Sequence, residues 1–155
     1  MKLEEEIKQK EFKNEFQKLA VNIIYTNSWL TNLQSKTFSR FDITGTQYNI
    51  LRILRGQHPN PASINLLKER MLENKCDASR LVERLRVKGL VNRKISKVDR
   101  RRADVVISDA GLDLLKSIDN VEREFNVAFK HISKDEAKTV NTLLDKMRGN
   151  NSKQK

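Results

Sequence analysis

The fold of this chain is decided by one stretch, Lys75-Cys-Asp-Ala-Ser-Arg-Leu-Val-Glu-Arg-Leu-Arg-Val-Lys-Gly-Leu90. Its apolar residues recur at helical spacing, which predicts a helix from about Lys75 to Lys88. Gly89 suits the left-handed position that follows a helix, and Leu90 can then fold back on Leu85 as the apolar contact of a Schellman motif. The stretch is therefore predicted to be a helix that ends sharply at Gly89.

Two short β-like runs follow this helix, Leu90 to Ile95 and Arg102 to Ile107, and a polar loop separates them. This pattern is typical of a β-hairpin. On the other side, Ser63 can cap a short helix that runs to about Met71. Two short helices joined by a tight turn at about 72–74 and followed by a hairpin make a winged helix-turn-helix, with the polar loop as the tip of the wing.

Longer helices are predicted on the N-terminal side of this motif. Apolar spacings of three and four predict one helix from about Leu3 to Leu33, with a stripe of Phe12, Phe16, Leu19, Ile23, Leu30 and Leu33. After a break around 39–42, Thr44 to Gln47 has the form of a capping box. The helix that it opens carries Tyr48, Leu51 and Leu54 inward and stops before His58.

Two more helices are predicted on the C-terminal side. Ser108 caps one from about Asp109 to His131, whose stripe is Leu114, Ile118, Val121, Phe125, Ala128 and Ile132. Ser133 to Glu136 is another capping box, and the last helix that it opens has inner residues Val140, Leu143, Leu144 and Met147. The predicted fold class is mainly α with a small β-hairpin wing.

The positive charge of the chain is concentrated in the winged motif. The formal net charge is +11, and the segment from Lys68 to Arg102 carries +8 of it, with 13 Lys and Arg against 5 Asp and Glu. Such an excess implies a polyanionic partner, either nucleic acid or a membrane surface. The hydrophobic fraction of 37% suits a helical protein with much exposed surface, or one whose core is completed by a second subunit.

Several classes of protein are disfavoured. Cys76 is the only cysteine, so an intrachain disulfide is excluded. The N-terminus lacks the apolar run of a secretory signal, and no stretch approaches the roughly 18 apolar residues that span a bilayer. We therefore expect a soluble, cytoplasmic protein with no membrane partner. A Gly-rich phosphate loop, metal-ligand spacing and a nucleophile–base pair are all missing from the sequence, which gives an enzyme little support and predicts no cofactor and no metal site.

The second helix of a helix-turn-helix enters the major groove with its N-terminal residues toward the base edges. Arg80 could make a bidentate contact to guanine, Ser79 could reach a phosphate or a base, and Ala78 could touch a thymine methyl. The candidate DNA-binding residues of the two short helices are Ser63, Lys75, Asp77, Ala78, Ser79, Arg80 and Arg84.

The wing loop adds a second set of candidates, Lys97, Asp99, Arg100 and Arg101. An Arg at a wing tip suits the narrow, electronegative minor groove. Asp99 would repel phosphate if it faced outward, so we expect it to orient a neighbouring Arg through a charge-assisted hydrogen bond. A basic hairpin alone is usually a solvated turn, and a helix that ends in Gly is common. The order and spacing of the two together favour DNA binding.

Several motifs of this segment resemble the MarR family of bacterial regulators, namely Ser79-Arg-Leu-Val-Glu-Arg-Leu85, Lys88-Gly-Leu-Val91, Asp99-Arg-Arg101 and Ile107-Ser-Asp-Ala-Gly111. The resemblance covers about Thr44 to Gly111. It implies a homodimer with dimerisation helices at 1–35 and 109–148 and a winged DNA-binding domain at 43–108. The low-complexity residues 149–155 are predicted, from their composition, to be a flexible tail. Each subunit would present one motif to half of a pseudo-palindromic operator in double-stranded DNA.

The resemblance also implies roles and a mode of regulation. Arg101 becomes the wing residue that enters the minor groove, and Asp99 becomes its orienting partner. Family members mostly repress transcription, and many release DNA on binding a small phenolic or anionic ligand, or on cysteine oxidation. Ser108 replaces the usual Thr and keeps the N-cap. Cys76-Asp77-Ala78 replaces the usual Ser-Thr-Val, which puts in doubt any carry-over of an operator sequence.

Some residues have two interpretations. Cys76 beside Lys75 could have a lowered pKa and sense oxidants, although a packing role is favoured because the family's sensing cysteines lie in the first helix. His58 and His131 lie far apart in sequence, so a zinc site is disfavoured. An aromatic cluster, Tyr25, Trp29, Phe38, Phe41 and Tyr48, could form a pocket for a small aromatic or anionic effector, although core residues are favoured. The candidate effector-binding residues are four of these, Tyr25, Trp29, Phe38 and Tyr48.

Two functions from different classes follow from the sequence. The first is a sequence-specific transcriptional regulator, a repressor, that binds its operator as a homodimer and is released by a small effector. The second is an architectural or protein-interaction module whose basic face binds nucleic acid without sequence preference. The second function predicts equal affinity for random and genomic DNA, falling steeply with salt.

Overall fold

The computed structural model of the chain describes residues 2–73, 76–95 and 103–149. The elements in chain order are α1 (Leu3–Glu6), α2 (Glu15–Ser39), α3 (Gly45–Gln57), β1 (Ala62–Ser63), α4 (Ile64–Arg70), α5 (Ala78–Val87), β2 (Val91–Ile95), β3 (Ala103–Ile107), α6 (Asp109–Ala128) and α7 (Lys134–Arg148). They form two compact units, Met1–Gly45 and Thr46–Lys155. The predicted class, mainly α with a small β-hairpin wing, is confirmed.

The first unit corrects the prediction of one helix from Leu3 to Leu33. Helix α1 ends at Glu6, and α2 begins only after Asn14, whose side chain accepts a hydrogen bond from the backbone N–H of Gln17 at 2.9 Å. This N-cap has extended backbone angles, so it starts a new helix rather than continuing an earlier one. Phe12, which was assigned to the helical stripe, therefore lies in the non-helical segment between α1 and α2.

Helix α1 folds back along α2 through polar contacts. The ammonium group of Lys18 lies 2.5 Å from Glu4, and the hydroxyl of Tyr25 donates a hydrogen bond of 2.8 Å to Glu6. Lys18 and Tyr25 are seven residues apart in α2, so they lie on one face of that helix, two turns from each other. Leu3 is buried. The N-terminal segment is thus held to α2 at two points.

The winged motif of the second unit is built around a three-stranded antiparallel sheet in the order β1-β3-β2. The hairpin register pairs Val91 with Ile107 and Ile95 with Ala103, as a wing requires. Strand β1 was not predicted, because two residues are too few to show periodicity. Ala62 pairs with Val105 of the middle strand and is completely buried.

Each helix of the motif contributes one apolar face to the core. Tyr48, Leu51 and Leu54 of α3 are buried as predicted. They share the interior with fully buried side chains of the later elements, namely Leu67, Val82, Leu85, Val91, Val105, Leu115 and Ile118. Burial of a large aliphatic side chain stabilises the fold by about 1.5–3 kcal/mol. The exposed, polar faces of the same elements are left for binding.

The end of α5 and the start of α6 meet at a tight junction. Gly89 has φ 72°, and the Schellman hydrogen bond runs from the backbone N–H of Leu90 to the carbonyl of Leu85 at 3.0 Å, as predicted. Ser108 then donates its hydroxyl to the Gly89 carbonyl at 2.7 Å and its backbone N–H to the Leu90 carbonyl at 3.1 Å. Its hydroxyl also accepts from the N–H of Gly111 at 3.1 Å, which is the predicted N-cap of α6.

Helix α7 corrects another expectation. Its capping box at Ser133 and Glu136 is present, but its apolar face is not inside the chain. Val140, Leu143 and Met147 are 48%, 58% and 53% exposed. Apolar periodicity identifies a face that requires cover, but it does not say which surface supplies the cover. In the part of the chain that the structure describes, no helix is long and apolar enough to cross a membrane.

We predict that Gly111→Ala destabilises the protein. A Cβ atom there would overlap the carbonyl oxygen of Leu90 and would lie 2.7 Å from Cγ1 of Ile107. Forcing a methyl group into such a space costs about 1–3 kcal/mol of unfolding free energy, measurable by thermal or urea denaturation.

Gly56→Ala in α3 is the matched control. A Cβ atom at Gly56 meets no heavy atom within 4 Å, and alanine favours a helix, so stability should stay the same or rise by up to about 1 kcal/mol. Equal effects of the two substitutions would contradict the close approach of α6 to Leu90.

Candidate nucleic-acid interface

Helix α5 is the second helix of the helix-turn-helix, the one expected to enter the major groove, and we call it the reading helix. It begins later than predicted. Its first helical residue is Ala78, and Asp77 is the N-cap, with its carboxylate accepting a hydrogen bond of 3.1 Å from the backbone N–H of Arg80. The carboxylate of Asp77 therefore holds the first turn of the helix, and we assign it to positioning rather than to base contact. Lys75, the other candidate at this end, lies outside the described residues.

The burial pattern of α5 separates a core face from an outward face. Ala78, Val82 and Leu85 are completely buried, at the spacing of one helix face. This burial corrects one candidate, because the methyl group of Ala78 packs in the core and is not available to a thymine. Arg80 and Arg84 are exposed on the opposite side, and Ser79 is half-buried at its flank.

Arg80 and Arg84 supply the hydrogen-bond donors of this face. Neither forms an ion pair with any residue that the structure describes. A guanidinium group carries five N–H donors and can form paired hydrogen bonds to guanine or to a phosphate. Because the buried face of α5 is packed in the core, the helix backbone that carries Arg80 and Arg84 is held in place. The geometry of the helix therefore suits the contact that the sequence predicted for Arg80.

Ser63 has a structural role at the start of α4. It pairs with Asp104 in the sheet, and its hydroxyl oxygen accepts a hydrogen bond of 3.1 Å from the backbone N–H of Leu66. The predicted N-cap is confirmed. A serine hydroxyl that accepts in this way still has its own O–H to donate, so contact with a phosphate oxygen is compatible with the cap.

Glu83, which lies on α5 one turn after Arg80, was not among the site residues predicted from the sequence. Its carboxylate accepts hydrogen bonds from Nη2 and Nε of Arg86 at 2.8 and 3.0 Å, and Nη1 of Arg93 on β2 lies 3.8 Å away. The hydrogen bonds from Arg86, reinforced by the charge of Arg93, lower the pKa of Glu83. The spacing of Glu83 and Arg86 was a visible sign of a pair, but the link to β2 depends on the fold.

The wing is described only up to the base of its loop. Strands β2 and β3 are paired as far as Ile95 and Ala103, so both ends of the loop leave from adjacent strand positions. The predicted wing residues lie in this loop, outside the described residues; they are Lys97, Asp99, Arg100 and Arg101.

Cys76 does not have the lowered pKa that a redox role requires. Its thiol donates a hydrogen bond of 3.1 Å to the carboxylate of Glu73. This hydrogen bond, together with partial burial, raises the pKa of the Cys76 thiol because a nearby negative charge opposes the thiolate. This direction is opposite to the lowered pKa that a redox role needs, and Lys75 itself lies outside the described residues. Cys76 precedes the N-cap residue and lies outside the helix.

The four candidate effector residues have different surroundings. Tyr25 and Trp29 lie one turn apart on α2, and Trp29 is 44% exposed. The hydrogen bond to Glu6 raises the pKa of the Tyr25 hydroxyl. Phe38, near the end of α2, is buried, as is Tyr48 in the second unit, where the guanidinium of Arg52 lies 5.8 Å from its ring centroid. Phe38 and Tyr48 thus have the burial of core residues.

Comparisons with known proteins agree with this geometry. A family model described as the MarR family matches residues 41–102. A MarR transcription factor from Planctomyces limnophilus is 30% identical, with a TM-score of 0.68 over 86% of this chain and 98% of that chain. A mutant MarR from E. coli complexed with operator DNA is 24% identical, with a TM-score of 0.77 over 89% of this chain and 99% of that chain.

An S. aureus MepR–DNA complex shares the fold as well, with 20% identity and a TM-score of 0.73 over 87% of this chain and 96% of that chain. No curated protein sequence matches the chain. The identity to the Planctomyces protein extends over nearly all of that protein, and the family model covers the winged motif. The chain therefore belongs to the MarR family of transcription regulators.

Proposed function

We propose that this protein is a sequence-specific DNA-binding repressor that acts as a homodimer on a pseudo-palindromic operator. The observation that carries the proposal is the outward face of α5, where Arg80 and Arg84 project from a helix whose other face is locked into the core. The similar MarR and MepR structures that contain DNA support DNA as the partner.

In this proposal α5 lies in the major groove. Arg80, near the helix N-terminus, contacts base edges, and Arg84, one turn further on, contacts a base or a phosphate. Ser79 at the flank contacts a phosphate, and Ser63 at the start of α4 does the same. Asp77 acts indirectly, because its cap holds the first turn in the geometry from which Arg80 projects.

The wing completes the contact in the minor groove. The paired strands Val91–Ile95 and Ala103–Ile107 end at the two ends of the basic loop, and we propose that this loop reaches the DNA beside the reading helix. We assign Arg101 to the minor groove, with Asp99 as its orienting partner, and we assign Lys97 and Arg100 to flanking phosphates. A narrow minor groove concentrates negative potential, which favours an inserted Arg.

The exposed apolar residues support the dimer. On and just before α7, the exposed large apolar side chains are Phe129, Ile132, Val140, Leu143 and Met147, and on α2 they are Phe16, Leu19, Ile24 and Trp29. Apolar faces of this extent on helices mark protein–protein interfaces. We propose that a second copy of the chain covers them, with α2, α6 and α7 as the dimerisation helices.

Release of DNA by a small aromatic or anionic effector is also part of the proposal. Of the four candidate residues, Tyr25 and Trp29 offer accessible aromatic surface, whereas Phe38 and Tyr48 are buried. We therefore place the effector contact at Tyr25 and Trp29. The tyrosine hydroxyl is already bonded to Glu6, and an effector that takes over this hydrogen bond would remove one of the two contacts that hold the N-terminal segment to α2.

We predict that Arg80→Ala weakens binding and relaxes base preference. Fluorescence anisotropy measures the affinity for two duplexes. One is enriched by selection from genomic DNA and is called the selected duplex, and the other has a random sequence. Loss of a bidentate base contact costs about 1–3 kcal/mol, or roughly 5- to 150-fold in Kd. Lys116→Ala in α6, which removes an exposed positive charge outside the motif, is the control and should have little effect.

The same titration separates the two candidate functions. Preference of the wild-type protein for the selected duplex supports a sequence-specific regulator. Equal affinity for both duplexes would identify the module without sequence preference instead. Unchanged affinity of Arg80→Ala for the selected duplex would refute the assignment of Arg80.

We predict that the protein is a dimer and that Leu143→Glu dissociates it. Light scattering should give twice the chain mass of 18.1 kDa for the wild type and one chain mass for the variant. A charge buried in an apolar interface is unfavourable without a partner. Asn141→Glu places the same charge on a different face of α7 and should remain dimeric. A monomeric wild-type protein would rule out the dimer.

A further inference from the structure

The outward face of α5 carries one carboxylate among its arginines. Glu83 lies three residues after Arg80 and one residue before Arg84, on the side of the helix away from the buried Val82 and Leu85. An unpaired carboxylate in this position would repel DNA phosphates. Its presence on the reading face therefore requires a physical explanation.

Two arginines neutralise this carboxylate. Arg86 binds it with both Nη2 and Nε, at 2.8 and 3.0 Å, in the paired geometry of a guanidinium–carboxylate contact. Arg93 reaches the same carboxylate from strand β2, with Nη1 3.8 Å from Oε2. We name this group of Glu83, Arg86 and Arg93 the Glu83 clamp. It joins the reading helix to the first strand of the wing.

The clamp divides the arginines of this surface into two classes. Arg80 and Arg84 have no acidic partner among the described residues, so they are available to DNA. Arg86 and Arg93 are partly exposed, with 49% and 35% of their side-chain surface accessible, but they share a carboxylate. An arginine held by a carboxylate must break that contact before it can neutralise a phosphate fully.

The consequence concerns the strength of binding to the DNA backbone. Affinity for unrelated DNA comes almost entirely from phosphate neutralisation, whereas the operator is distinguished by base contacts. A device that weakens phosphate contacts lowers the affinity for every sequence by a similar factor, so it keeps binding to unrelated DNA weak. The clamp acts on two arginines at the edge of the reading face and leaves Arg80 free.

We propose that Glu83 is a positioning residue that keeps Arg86 and Arg93 from the DNA backbone and so limits the affinity for DNA phosphates, which keeps affinity for unrelated DNA low. This inference rests on the proposed DNA-binding function and adds a residue that opposes binding.

The test is Glu83→Gln in the full-length protein. Glutamine has nearly the same size and can still accept a hydrogen bond, but it removes the negative charge. Affinity for a random duplex and for a selected duplex is measured from about 50 to 200 mM salt. We expect tighter binding of both duplexes by a similar factor, and a logarithmic salt slope steeper by about 1–2, one for each released arginine.

Two further variants make the result specific. Asp113→Asn changes the net charge by the same amount and releases Lys116 on α6, outside the motif, so its salt slope should stay near that of the wild type. Adding Arg86→Ala and Arg93→Ala to Glu83→Gln should return the slope to the wild-type value, because the released charges are then gone.

Three results would overturn the inference. They are an unchanged random-duplex affinity and slope in Glu83→Gln, an equal change in Asp113→Asn, and weaker binding of the selected duplex alone, which would make Glu83 a contact to cytosine. Failure of the proposed function would look different. The wild-type protein itself would then fail to prefer the selected duplex, while the slope of Glu83→Gln would still report on the clamp.

Discussion

The close approach of helix α6 to the carbonyl of Leu90 is the constraint on which the DNA-binding unit depends. Leu90 ends the Schellman motif of α5 and precedes the first residue of β2, and its carbonyl accepts the backbone N–H of Ser108 at 3.1 Å. Ser108 follows β3 and caps α6. The reading helix, both strands of the wing and the next helix therefore meet at one set of hydrogen bonds. Gly111 permits this close approach of α6, because the side chain of any larger residue would strike the carbonyl oxygen of Leu90.

In the proposed function, this junction links the helix that reads DNA to the helices of the dimer. Only Lys88, Gly89 and Leu90 separate the end of α5 from the wing, and only Ser108 separates the wing from α6. A second contact, the ion pair of 2.6 Å between Arg55 and Asp119, joins α3 to α6. In the proposed dimer, the position of α6 thus sets the position of each reading helix, and two such helices must match two half-sites about one helical turn apart.

The features that sequence predicted well were local ones. The caps at Ser63 and Ser133, the turn at Gly89 and the strands on either side of the wing loop each depend on residues a few positions apart. Local hydrogen bonds and backbone angles set these features, and the sequence shows them directly. The motifs that resemble the MarR family are also short and local in sequence, so they could be recognised without the structure. The family is confirmed.

The features that sequence missed depend on longer range or on competition between signals. The apolar spacing runs through Asn14, but the N-cap there starts a separate helix. Ala78 has the small side chain of a base contact, yet its position in the 3.6-residue repeat buries it. Glu83 acquires its role only when β2 brings Arg93 close to it. The sequence shows the apolar face of α7, but the core of the chain does not bury this face.

The central claim is that two copies of the winged motif read one DNA site. Hydroxyl-radical footprinting on a duplex enriched from genomic DNA tests it most directly, because it maps backbone contacts at single-nucleotide resolution. The account predicts two protected blocks related by a dyad, with centres about 10 base pairs, or one helical turn, apart or a multiple of that distance. A single protected block, or protection without a dyad, would contradict it.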